Sequence, residues 1–190
     1  MRKPYDPYCL CAKHECLQRF QGKSCMLYQA IMAGKSDLAL EIANRCSGAR
    51  VFGKLPIHFA AMRGQLPIVK ALLDAGISPY VLDGEGNTLH FWAAQSGDLA
   101  TFRHLVEREN LTNVRNDGGW QPIHVAASRD RTEIVRYLIE LSYVQYIELN
   151  SVIIVGESCY TPLALAELAC AHQSAKLLRN SLREFALSAK

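Results

Sequence analysis

No stretch of this chain is apolar for long enough to cross a bilayer, and runs such as Val152-Ile153-Ile154-Val155 fall far short of a span. The opening residues, Met1-Arg2-Lys3-Pro4-Tyr5-Asp6-Pro7, begin basic, but no apolar run of secretory length follows. The reading is a soluble, cytoplasmic protein, or one in a host cytosol if it is delivered there. Charge of one sign is also scarce: 21 Lys and Arg against 18 Asp and Glu leave a net charge of +3, too little for a nucleic-acid binder. Glycine-rich phosphate loops, metalloprotease His pairs and a serine elbow are all missing, which removes the usual sequence grounds for an enzyme. What remains is ordinary globular composition, 49% hydrophobic and 21% charged, which argues against disorder.

Cysteine is not scarce, but its number is odd. Seven thiols cannot close a complete disulfide framework, so a reduced compartment is expected. Cys46, Cys159 and Cys170 fall singly and read as small buried hydrophobes. Cys9, Cys11, His14, Cys16 and Cys25 form the one metal-like cluster of the chain. Zinc takes about four thiolate or imidazole ligands, and these residue types qualify. Cys9 and Cys11 are too close for the usual two-residue knuckle loop, so a packed segment of reduced thiols stands beside the zinc reading. No other cofactor is indicated. A Cys16–His14 nucleophile pair fails on geometry, since residues two apart do not face each other on a helix and no third orienting group is evident.

Internal repetition organises the chain. Gly53-Lys54-Leu55-Pro56-Ile57-His58-Phe59-Ala60-Ala61, Gly86-Asn87-Thr88-Leu89-His90-Phe91-Trp92-Ala93-Ala94 and Gly119-Trp120-Gln121-Pro122-Ile123-His124-Val125-Ala126-Ala127 align without a gap, 33 residues apart. Pro56 and Pro122 suit the first turn of a helix, where the missing N–H has no intrahelical partner anyway. Thr88 and Thr161 can cap such a helix, and the paired alanines keep it thin enough for neighbouring units to approach. Gly64 and Gly97 stand where a short helix ends in a left-handed residue, and Gly76 stops the next helix. That helix carries Ile68, Val69, Leu72 and Leu73 at the spacing of one buried face. A single helix pair cannot bury its own apolar face, so the units must stack.

The pattern resembles the ankyrin repeat, whose signature is Gly-x-Thr-Pro-Leu-His-x-Ala-Ala followed by a glycine turn and an apolar second helix. Clear similarity runs over residues 50–142, with a weaker unit at Thr161-Pro162-Leu163-Ala164-Leu165-Ala166 and a degenerate one near Tyr28–Asn44. The implied fold is all-α, a solenoid of stacked helix-turn-helix units with loop or β-hairpin tips. Departures are local: Leu55 and Gln121 replace the capping threonine, Leu89 the proline, Asp130 the turn glycine and Ala164 the histidine, while His90 sits one place early. The expected division is a cysteine-rich segment 1–25, a degenerate or capping unit 26–52, units 53–85 and 86–118, a unit 119–158 with an inserted loop 142–158, and a closing unit 159–190. The insertion is rich in β-branched and aromatic residues, with a candidate turn at Asn150-Ser151. It reads either as a protruding hairpin or as a connector tucked against the stack. Residues 172–187 read as a final helix with a polar outer side.

The resemblance implies that His58 and His124 bridge neighbouring loops and do no acid–base work. It also places a partner-binding surface on the loop tips and first helices. By position these are Phe52, Lys54, Glu85, Asn87, Arg115, Asp117, Trp120 and Tyr160 at the tips, and Met62, Arg63, Gln95, Ser128 and Arg129 on the inner helices. Trp120 is expected to point outward, and Tyr, Trp and Arg are enriched at hot spots. Arg50, Lys54, Arg63, Arg115 and Arg129 would make this side basic, diluted by Asp83, Glu85 and Asp117, so the partner expected is another protein with an acidic segment. The leading function is a non-enzymatic adaptor, scaffold or inhibitor. The alternatives are a zinc- or redox-responsive regulator using the N-terminal cysteines, and a pathogen module that captures a host protein.

Overall fold

The computed structural model describes residues 26–46, 53–142 and 148–188. Ten helices and one hairpin follow in chain order among them. They are α1 Met26–Met32, α2 Ser36–Cys46, α3 Pro56–Met62, α4 Leu66–Asp74, α5 Leu89–Ser96, α6 Leu99–Arg108, α7 Pro122–Ser128, α8 Thr132–Ser142, β1 Ile153–Val155, β2 Ser158–Tyr160, α9 Pro162–Leu168 and α10 His172–Ser188. Each odd-numbered helix packs on the even one that follows it, and each also packs on its counterpart in the next pair. The result is the expected stacked solenoid: α1, α3, α5, α7 and α9 form an inner layer, and α2, α4, α6, α8 and α10 an outer one.

The inner helices α3, α5 and α7 are buried on most sides because they lie between two neighbours and the outer layer. Pro56 to Ala61 and Pro122 to Ala127 are buried without a break. The alanine pairs Ala60-Ala61, Ala93-Ala94 and Ala126-Ala127 are fully covered, which is what close helix–helix approach requires. The outer helices bury one stripe only, such as Ile68, Val69, Leu72 and Leu73 on α4 or Ile134, Val135 and Leu138 on α8. Thr88 and Thr161 cap α5 and α9 as expected, each hydroxyl accepting from a backbone N–H at 3.2 Å. Where threonine is missing, histidine serves the same turn from inside: the Leu55 and Gln121 N–H groups donate to Nδ1 of His58 and His124, at 3.0 and 3.1 Å.

The turn after each inner helix needs a left-handed residue. At Gly97, φ is 86° and an added Cβ would lie 2.7 Å from Arg131 Cδ, so the neighbouring unit occupies the space a side chain would need. Asp130 takes the same position in the third unit at φ 52°. It also does something glycine cannot: its Oδ1 accepts the Ser174 N–H at 2.9 Å. Ser174 lies in the first turn of α10, and the preceding Ala171 has no side chain to cap with, so the cap comes from the unit before. Asp130→Ala should therefore lower stability by about 2 kcal/mol, through the lost cap and the strained φ together. Asp130→Gly removes the cap but relieves the strain and should cost less. Urea unfolding of both variants measures this, and two wild-type curves would exclude the capping role.

The stack changes character at its C-terminal unit. Ala127 and Ile139 of the third unit are matched in register by Glu167 and Arg179, which pair at 2.6 Å between α9 and α10. The last described unit thus carries an exposed ion pair where the unit before it carries two apolar residues. Two expectations need correction. Cys159 and Cys170 are exposed, not buried: Cys159 lies on the hairpin, and Cys170 holds the left-handed turn position at φ 55°. A turn does form over residues 148–151, closed by the Ser151 N–H donating to the Glu148 carbonyl at 3.1 Å, but the hairpin itself turns later. Val155 pairs with Ser158, so Gly156-Glu157 form the turn. Gly156 has φ 64°, which a tight hairpin turn demands and β-branched neighbours resist. Residues 143–147 of the insertion lie outside the described residues.

Candidate binding surface

The loop tips share one construction that repeats with the helices. In the loop before α5, Asp83 Oδ1 accepts the N–H groups of Glu85 and Asn87 at 2.8 and 3.0 Å. One period later, Asn116 Oδ1 accepts those of Gly118 and Trp120 at 3.0 and 2.8 Å. A short side-chain acceptor thus replaces a backbone turn, which Asp and Asn do readily. The loops are then tied to each other. Asn116 Nδ2 donates to Asn87 Oδ1 at 2.7 Å, and the Asp117 N–H donates to the Glu85 carbonyl at 3.1 Å. Arg115 reaches the insertion, donating to the Val152 carbonyl at 2.9 Å and lying 3.5 Å from the Glu148 carboxylate. His124 Nε2 lies 3.1 Å from the Ser151 carbonyl, the expected bridge from an inner helix to the next loop.

Asp83 is the hub of this arrangement. Its carboxylate has no exposed side-chain surface and also accepts from Trp92 Nε1 at 2.9 Å and from Asn87 Nδ2, with Lys54 Nζ 3.5 Å away. Burial alone would push its pKa up, but the bonds from Asn87, Glu85 and Trp92 outweigh that and hold it below the usual carboxylate value. Lys54 completes the group by lying 4.8 Å above the Trp92 ring. In the sequence Asp83 reads only as a diluting charge, and Asn116 does not stand out as a contact residue. The signal was present as Asp83-x-x-Gly86 and Asn116-x-x-Gly119, one period apart.

These bonds sort the expected contact residues. Asn87 is 1% exposed and fully occupied between loops, so its side chain is withdrawn from any partner. Lys54 is spent on Asp83, Glu85 and Trp92, and Arg115 on Glu148, Val152 and Gly119. The basic side is therefore thinner than the sequence implied. Glu85 and Asp117 are exposed at the tips. Trp120 is half-buried, its ring packed edge-on against His124 at 6.2 Å, so it does not project freely. Tyr160 is half-buried on β2, and Met62 and Gln95 are half-buried on the inner helices. Ser128 is half-buried too, its hydroxyl returned to the Val125 carbonyl at 3.1 Å. Arg63 and Arg129 are exposed and meet no carboxylate among the described residues. Arg50 and Phe52 lie outside the described residues. Exposed apolar side chains add to the tips: Tyr80 is 55% and Ile154 69% exposed, with Val114 and Val152 between them in loop order.

His90 fills the core slot that Ile57 and Ile123 fill in the flanking units. It is fully buried with its ring edge-on to Phe102. Burial pushes its pKa down to about 4, opposed weakly by the backbone of Leu105 and Glu109 and by the Glu109 charge. His124 is likewise held at about 4 by burial, against the Ser151 carbonyl. Both rings are therefore neutral at pH 7. Among the described residues no group of three His, Cys, Asp or Glu is placed to hold a metal. Cys9, Cys11, His14, Cys16 and Cys25 lie outside those residues, and no described helix is long and apolar enough to cross a membrane.

A stack of helix pairs with interlocked tips is the architecture of a repeat protein, and comparison with known families agrees. The family model for ankyrin repeats (3 copies) matches residues 9–110 and again 89–185. The chain belongs to the ankyrin-repeat family, and the match begins within the segment read as cysteine-rich. It is 30% identical over 121 residues to the target of rapamycin complex 2 subunit AVO2 of Saccharomyces cerevisiae, covering 60% of this chain and 28% of that protein. It is 27% identical over 128 residues to human NF-kappa-B inhibitor alpha, covering 60% of this chain and 40% of that protein. Over 79 residues it is 32% identical to the 26S proteasome non-ATPase regulatory subunit 10 of Dictyostelium discoideum, covering 40% of this chain and 34% of that protein. The matched region thus spans well under half the length of each of these relatives.

Proposed function

We propose that this chain is a non-catalytic module that holds another protein on its loop tips and inner-helix face, in the manner of an adaptor, scaffold or inhibitor. The observation that carries this reading is the hydrogen-bonded welding of successive tips through Asp83, Asn87, Asn116 and Arg115. A surface already fixed by internal bonds loses little conformational entropy on binding, which is the main cost a flexible loop would incur. Trp120, Tyr160, Arg63 and Arg129 stand on that surface, and they are the side-chain types that dominate binding energy. Two relatives bear names of assembly components and one of an inhibitor, which fits a partner-binding role.

The test is affinity capture from lysate with the wild type beside a Trp120→Ala/Arg129→Ala variant whose fold is checked by circular dichroism. The variant should lose the captured proteins by about tenfold or more, as removal of two hot-spot side chains implies. Equal recovery of the same proteins by both would refute the proposed surface.

A further inference from the structure

The two cations left over on the inner face are not randomly placed. Arg63 and Arg129 occupy the same register position, the residue directly after an inner helix, two 33-residue periods apart. The residues in the same register position at the ends of α1, α5 and α9 are Ala33, Ser96 and Ala169, so the described face carries charge at this position only in alternate units. The acids nearby are engaged elsewhere. Asp98 accepts the Thr101 N–H at 2.8 Å, Asp130 the Ser174 N–H at 2.9 Å, and Glu167 pairs with Arg179. Between the arginines lie the uncharged Gln95 and Ser96, whose Ser96 hydroxyl is returned to the Ala93 carbonyl at 2.7 Å. Arg131 sits deeper, half-buried, with its Nε given to the Gln95 carbonyl at 3.0 Å.

We propose that Arg63 and Arg129 form a two-point clamp for an extended acidic segment of a partner protein, with carboxylates five or six residues apart. The ruler follows from geometry. Packed helices lie about 8–10 Å apart, so two steps of the stack separate the arginines by roughly 16–20 Å. An extended chain advances about 3.3 Å per residue, which sets the carboxylate spacing. Acid-rich segments are extended by self-repulsion, so the occupant meets the clamp in the right form. Each arginine follows the C-terminus of a short helix, whose partial negative charge offsets part of its pull on an anion. One arginine is then a weak site, and useful affinity needs both at once, the second contact being made at the high effective concentration set by the first. The small net charge of +3 lacks the concentrated basic face of a nucleic-acid binder, which favours the peptide.

The inference rests on the inner-face part of the proposed function, and its test uses synthetic peptides, not the partner. Isotope-labelled wild-type protein is titrated with three unstructured peptides of equal length: two glutamates six residues apart, two adjacent glutamates, and two glutamines six apart. The Arg63 and Arg129 Nε–H signals should move together with one dissociation constant for the spaced peptide. That binding should be about tenfold tighter than with adjacent glutamates, weaken in high salt, and lose its spacing preference in Arg63→Ala and in Arg129→Ala. Equal binding of the spaced and adjacent peptides, or separate saturation of the two signals, would overturn the clamp. So would tighter binding of a short single-stranded RNA at the same signals. If the clamp fails while Trp120→Ala/Arg129→Ala still loses its captured proteins, only this inference falls. If capture is unchanged as well, the proposed surface falls with it.

Discussion

Asp83→Ala is expected to destabilise the protein by about 3–5 kcal/mol, more than removal of any single surface charge. The substitution strands the N–H groups of Glu85 and Asn87, the indole N–H of Trp92 and the Lys54 ammonium, all of which converge on one buried carboxylate. A group that loses its partner while still out of water bears its full desolvation cost, whereas a pair replaced together does not. Asp83→Asn should cost only about 1–2 kcal/mol, because a single amide oxygen can still close the turn, as Asn116 does one unit later. Equilibrium urea unfolding of both variants, followed by tryptophan fluorescence, measures the difference. A double-mutant cycle with Trp92→Phe should show coupling above about 0.5 kcal/mol. An Ala variant within 1 kcal/mol of wild type, in the sense of ordinary surface changes of about ±0.5 kcal/mol, would mean that the hub is decorative.

The second large effect is on pH. His90 and His124 have folded-state pKa values of about 4, against 6.5 when unfolded, because their neutral rings are buried. The unfolded chain therefore binds more protons than the folded one as pH falls from 6.5 to 4. Their contribution is fully present above pH 6.5, falls through that window, and reaches a floor below the folded values. The loss approaches about 3 kcal/mol for each ring at the floor, and roughly 2 kcal/mol for each at pH 5. The carboxylates of Asp83 and Asp130, held below their usual value, act at lower pH, while His104, lowered by partial burial and by the Lys70 and Arg108 charges, adds to the loss in the same direction. His90→Ile restores the residue type of Ile57 and Ile123. Neither His90 ring nitrogen makes a hydrogen bond of good geometry, so the variant should also be more stable at pH 7, by about 1–2 kcal/mol. The loss of stability between pH 7.5 and 5.0 should be smaller in His90→Ile than in wild type by about 2 kcal/mol, the share of one buried ring. The same pH slope in both proteins would rule out the assignment.

The helices themselves were legible from sequence because each rests on local chemistry repeated in register. Proline at a helix start, threonine before it, paired alanines and a following glycine each act within a turn of their own position. Asp130 in the glycine position was legible for the same reason, since a left-handed turn limits which side chains fit. Its second role was not, because Ser174 lies one whole unit away and nothing local links the two. The surface suffered most from this limit. Lys54, Asn87 and Arg115 have the chemistry of contact residues, yet each is occupied by a partner from a neighbouring loop. Trp120 likewise leans on His124 of its own unit and does not stand free.

The exposed thiols make the same point. Cys159 and Cys170 read as buried because cysteine usually is, but one landed on a hairpin and the other in a tight turn. The period, the helix pairs and the necessity of stacking are all written in local chemistry, since a unit with one apolar face and no core of its own has no other stable arrangement. Which polar groups remain for a partner is set only once the units are stacked. That choice depends on which donors and acceptors of adjacent loops come within hydrogen-bonding distance, and stacking sets those distances between residues some thirty positions apart.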